Sequence, residues 1–158
     1  MDVFVLDTNV AVVANGRDTH ADISCQVSCV RKISSLIQRG VVVLDDMGLI
    51  MNEYGNHLNF RGAPGVGDTF FKYLFDRQHT GNGVRRVSVT CCDDQRKGFK
   101  ELPENELDPS DRKFLAVAKV SGAIIVNATD SDWSQQQELT SSLGVEIEQL
   151  CPKYAHRS

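Results

Sequence analysis

Val3-Phe4-Val5-Leu6, an unbroken apolar run closed by Asp7, reads as a strand buried on both faces of a parallel sheet. Runs of the same kind recur at Val41-Val42-Val43-Leu44 and Ala123-Ile124-Ile125-Val126. Val84 to Val89 alternates apolar and polar residues, as a half-exposed edge strand does, and Val145-Glu146-Ile147 supplies a fifth short strand. Helical patterns fall between them. Thr8 and Asn9 open a short helix that Asn15-Gly16 breaks. Ile23, Val27, Val30, Ile33 and Ile37 recur every three or four residues up to Gly40. Met47, Ile50, Met51, Tyr54 and Leu58 form a second such stripe, and Phe70 to Phe75 begin a further helix ended by Gly81-Asn82-Gly83. Residues 59–68 and 91–107 read as loops. A helix opens at Asp108-Pro109 and runs to Gly122, and another spans 132–142. Strands alternating with helices predict a single-domain, three-layer α/β/α sandwich around a five-stranded parallel sheet.

A chain of 158 residues suits one domain, placed here at 1–150 with a C-terminal tail at 151–158. No apolar run is long enough to cross a bilayer, and Met1-Asp2-Val3-Phe4 has no basic leader character. Five cysteines, an odd number with Cys91 and Cys92 adjacent, fit reduced thiols better than a disulfide framework, so a cytoplasmic location is expected. The net charge of −4 is unevenly spread, because residues 61–100 carry eight basic and four acidic residues. That leaves the acids concentrated elsewhere.

In an open α/β sheet, ligands bind at the carboxyl ends of strands, where the strand order reverses. Asp7 ends the first strand, and Asp130 lies just past the fourth. Asp111 is in the first turn of its helix and shares a face with Leu115 and Ala118, so it points to the sheet. Glu53 sits mid-helix on the margin of the face that carries Ile50. Carboxylates gathered in one crevice repel unless protonated or neutralised, and hard divalent ions such as Mg²⁺ or Mn²⁺ take oxygen ligands. Plainer roles compete: Asp108 as an N-cap before Pro109, Asp111 as a first-turn acid, Glu53 as a solvated residue and Asp132 as a cap before Trp133. Asp7 is the hardest to explain that way, since a carboxylate behind four apolar strand residues is costly to bury unpaired.

Taken together, these segments resemble the PIN-domain family of metal-dependent ribonucleases. Val5-Leu6-Asp7-Thr8-Asn9 is similar to its opening motif, and Asp111-Arg112-Lys113-Phe114-Leu115-Ala116-Val117-Ala118 to its third-acid helix. Ala128-Thr129-Asp130-Ser131-Asp132-Trp133 is similar to its closing motif, with Ala128 where a hydroxyl residue is usual. Glu53 falls where the family has its second acid. The resemblance implies strand order 3-2-1-4-5 and catalysis by Asp7, Glu53, Asp111 and Asp130. It also implies one or two Mg²⁺ or Mn²⁺ ions held by these four residues and Asp132. Substrate contacts would come from Thr8, Asn9, Arg61, Arg85, Arg86 and Arg112, and Phe60 or Tyr73 could stack an unpaired base, with a core role competing for Tyr73. The implied activity is a metal-dependent endoribonuclease on single-stranded or structured RNA, toxin-like or serving defence or RNA processing. An antitoxin or other protein partner and a homodimer belong to the same expectation.

Two alternatives remain at this stage: an inactive PIN-like module that holds RNA or acts as a scaffold, and a structure-specific DNA nuclease using the same chemistry. Other classes fit less well. Phosphatases of this topology need an aspartate at position 9, which is Asn, and Gly62-Ala63-Pro64-Gly65-Val66-Gly67 lacks the Lys-Ser/Thr of a phosphate loop. The cysteines match no zinc spacing.

Overall fold

The computed structural model describes residues 2–155. The elements are β1 (Phe4–Leu6), α1 (Thr8–Asn15), α2 (Ile23–Arg39), β2 (Val42–Asp45), α3 (Leu49–His57), α4 (Val66–Arg77), β3 (Val84–Val87), a 3₁₀ turn (Pro109–Asp111), α5 (Arg112–Ser121), β4 (Ile124–Asn127), α6 (Asp132–Gln135), α7 (Gln137–Ser142), β5 (Ile147–Gln149) and α8 (Pro152–Ala155). The five strands form one sheet in the order β3-β2-β1-β4-β5, every pairing parallel, as expected. The order reverses between β1 and β4, where Phe4, Val5 and Leu6 pair with Ile124, Ile125 and Val126. A ligand crevice belongs at the carboxyl end of that pair.

The apolar runs do what their composition requires. Val5, Leu6, Val42, Val43, Leu44, Ile125 and Val126 are buried on both faces of the sheet. Helix α5 lies along β1 to β4, and its Ala116 and Ala118 are small enough to bring the helix axis close to the strands. Helices α1, α2 and α4 pack against one another. Gly67 makes the α1–α4 approach possible: a Cβ there would stand 2.0 Å from the carbonyl oxygen of Ala11.

Several sequence expectations shift. The buried face of α2 is Cys25, Cys29, Ile33 and Leu36, whereas Ile23 and Val27 are exposed. Cysteine packs as a small hydrophobe, so a stripe drawn through the larger aliphatics misses it. Met47 is exposed because α3 begins two residues later, after Gly48 in a left-handed conformation. The helix expected over 132–142 is two short helices separated at Gln136. Strand β5 begins at Ile147 rather than Val145, because the Val145 amide donates to Thr140 and stays with the end of α7.

The reduced-thiol expectation does not hold for two of the five cysteines: Cys25 and Cys151 are joined by a disulfide, while Cys29, Cys91 and Cys92 are free. A separation of 126 residues leaves no spacing pattern in the sequence to mark the pair. Beside that bond, Tyr154 and Ala155 are buried, so residues 151–155 pack onto the body; residues 156–158 of the expected tail lie outside the described residues. No helix among the described residues is long and apolar enough to cross a membrane.

Candidate metal centre

Asp7 follows β1 directly and stands just before α1. Its backbone N–H donates to Val126 and continues the β1–β4 ladder by one residue, which draws the side chain into the crevice between the two strand ends. The carboxylate is 5% exposed, and its Oδ2 accepts a 2.8 Å hydrogen bond from the Trp133 indole N–H. Asp111 closes the 3₁₀ turn ahead of α5 and is also buried. Pro109 sets up that turn, and Asp108 accepts from the Ser110 amide and hydroxyl, which is the N-cap role its position suggested. Asp130, half-buried in the loop after β4, accepts from the Asp132 amide.

Three carboxylates from three separate stretches of chain therefore meet: one oxygen each from Asp7, Asp111 and Asp130 lie within 4.8 Å of one another. Burial, with the negative charge of its neighbours adding to it, raises the Asp111 pKa from 3.8 to about 8; Asp7 and Asp130 contribute most among those neighbours. Burial also raises Asp7 to about 6, the Trp133 hydrogen bond pulling against it and the charges of Asp130 and Glu53 reinforcing it. These protons are held because like charges this close cannot all ionise in a dry pocket without a cation. The donor set suits a hard divalent ion: every member offers carboxylate oxygen, and neither thiolate nor imidazole belongs to the group.

The flanking residues fix this arrangement. The Asn9 side-chain oxygen accepts from the Ala128 and Thr129 amides, and its NH₂ donates to Asn127. Asn9 thereby ties the turn bearing Asp7 to the loop bearing Asp130. Asn127 in turn donates to the Asp130 carbonyl and to Gln149 on β5. The Tyr54 hydroxyl donates to the Leu6 carbonyl at 2.5 Å, seating α3 against the end of β1.

Glu53 and Asp132 stand outside the group of three. Glu53 accepts from the Thr8 hydroxyl and pairs with Lys113 at 2.6 Å. Asp132 is half-buried at the start of α6, and burial and the nearby Asp130 and Asp108 raise its pKa. Among the expected substrate contacts, Arg61 is exposed in the α3–α4 loop, and Phe60 beside it is 63% exposed. Arg85 and Arg86 are exposed on edge strand β3, which β2 separates from β1. Arg112 is buried instead. Its guanidinium donates to the Gln95 carbonyl and to the side chain and backbone of Asn105, gathering the segment between β3 and α5.

Sequence reasoning left out three contributors. In the sequence Trp133 is only the aromatic of the closing motif, and Lys113 only a member of the third-acid helix. Asp45, at the end of β2, is buried and accepts from the amides of Met47, Leu49 and Ile50, capping α3 and so placing Glu53. An aspartate behind an apolar run was a signal present here too; full satisfaction by backbone amides is what separates it from Asp7.

No family model matches the sequence, and no curated protein matches it. A solved structure of VapBC2 from Rickettsia felis bound to a DNA fragment from their promoter is similar to this chain at 12% identity. The match covers 93% of this chain and 98% of that one, with a TM-score of 0.49. The fold and site themselves define a doubly wound α/β protein with an acidic crevice at its topological switch point.

Proposed function

We propose that this chain is a metal-dependent nuclease of PIN type that hydrolyses phosphodiester bonds, with RNA as substrate. The meeting of Asp7, Asp111 and Asp130 in a mostly buried crevice at the switch point carries the reading. These three would hold Mg²⁺ or Mn²⁺, with Glu53 and Asp132 at the margin. When bound, such an ion supplies the positive charge that acidifies water and stabilises a leaving oxygen. The protein's own part is positional. Trp133 fixes the rotamer of Asp7, Asn9 sets the spacing of Asp7 and Asp130, and the 3₁₀ turn brings Asp111 up from the other side. Thr8 holds Glu53. Arg61, Arg85 and Arg86, exposed and cationic, would meet the phosphate backbone farther from the reacting bond. RNA as substrate, and a protein partner such as an antitoxin, follow from the family resemblance of the motifs.

The test is cleavage of end-labelled single-stranded RNA, and of DNA with the same sequence, in Mn²⁺, Mg²⁺ or EDTA, beside Asp7→Asn. RNA cleavage that needs metal and disappears in the variant is the expected result. Cleavage of DNA alone would establish the DNA-nuclease alternative. RNA binding without cleavage of either would leave the inactive binding module.

A further inference from the structure

Lys113 lies two residues past Asp111, in the first turn of α5, and its ammonium is 2.6 Å from Glu53 Oε1. The side chains of this pair are only 13% and 21% exposed, so water screens their attraction weakly. The other Glu53 carboxylate oxygen is engaged by the Thr8 hydroxyl, on the residue next to Asp7. Lys113 also donates to the Ser110 carbonyl at 2.5 Å, which anchors the ammonium to the turn that carries Asp111. Of the two acids at the margin, Glu53 is thus neutralised by the protein, while Asp132 stays half-buried beside Asp130 and outside the group of three aspartates whose oxygens share a common 4.8 Å neighbourhood.

We infer that Lys113 occupies the second cation position of this crevice, so that the centre takes one divalent ion rather than two. The inference rests on the metal-centre reading above. Three aspartates and one divalent ion leave a single negative charge. A second ion would find Glu53 already paired and an ammonium repelling it, and could enter only by displacing that side chain. Lys113 is accordingly a positioning residue: it holds Glu53 and ties that carboxylate to the turn that carries Asp111.

The test counts bound Mn²⁺ by electron paramagnetic resonance in the wild type, Lys113→Met, Lys113→Arg and Asp7→Asn, with circular dichroism to confirm that each is folded. One ion in the wild type and the arginine variant, and two in the methionine variant, is the expected pattern. Two ions in the wild type would overturn the inference, with no dependence on whether Lys113→Met folds. A single ion in a folded Lys113→Met would overturn it as well. Failure of the wild type to bind any Mn²⁺ would instead remove the metal-centre reading on which it stands.

Discussion

At the scale of single residues, the contact that most directly shapes the centre joins Asp7 to Trp133 across 126 positions of sequence. A buried carboxylate that loses a side-chain donor keeps the cost of burial with less of the compensating hydrogen bonding, here only the Asn9 backbone amide among the described donors. Trp133→Phe is expected to destabilise the metal-free protein by about 1–3 kcal/mol near pH 8, where Asp7 is ionised. Near pH 5 the loss shrinks, because Asp7, already raised to about 6 and pushed higher without the indole, is then neutral. Urea unfolding followed by circular dichroism at both pH values checks this; an equal loss at both would deny that the bond serves the ionised form. The three aspartates were legible in the sequence because each sits at a position defined locally: after a strand, or in a helix's first turn. The roles of Trp133 and Lys113 were not, since they depend on partners that only the folded chain brings near.

At the scale of elements, strands β1, β2 and β4 were legible because double burial forces unbroken apolar composition. The segment between β3 and α5 was not. It read as polar and irregular over 91–107, yet it buries Phe99, Leu102 and Leu107 and makes an antiparallel bridge between Cys91 and Phe99. Three scattered apolar residues have no period, so no pattern declares them. Arg112 is what gathers this segment, and Gly98 is what lets it: at φ +79°, a Cβ on Gly98 would come within 2.9 Å of the Arg112 side chain. Replacing Arg112 with Met removes charged donors from buried carbonyls and is expected to cost about 1.5–3 kcal/mol. Amide hydrogen exchange is predicted to speed up over 95–105, with α2 changing far less. Uniform acceleration across the molecule, or none, would contradict the assignment of Arg112 to this loop.

At the scale of the whole molecule, the centre is a source of instability that the rest of the fold sustains. Asp7 at about 6 and Asp111 at about 8 bind protons in the folded state that the unfolded chain, near 3.8, has already released. Folded stability without metal therefore falls as pH rises from about 4 to about 8. Below that window the sign reverses, because Asp22, Asp68, Asp94 and Asp108 are held under the ordinary value by their hydrogen bonds and cationic neighbours. Thermal melts should show a Tm that declines through this range by roughly 2–4 °C for each kcal/mol lost. A melting temperature that climbs steadily to pH 8 would contradict the protonated centre. Overall topology was readable because strand and helix periods are properties of composition, whereas the Cys25–Cys151 bond was not, being a fact of three-dimensional proximity between distant parts of the chain.

The most direct measurement is a Mn²⁺ titration of the protein near pH 7.5, read by tryptophan fluorescence and by thermal melting, in the wild type and in Asp7→Asn. Trp133 is the sole tryptophan of the chain and donates to Asp7, so its emission reports on the centre. The wild type should show saturable quenching and a stability gain of about 2.7 kcal/mol when free Mn²⁺ reaches a hundred times its Kd. Asp7→Asn should show neither. A wild type indifferent to Mn²⁺, or a variant that responds equally, would contradict the assignment of Asp7, Asp111 and Asp130 as the metal centre.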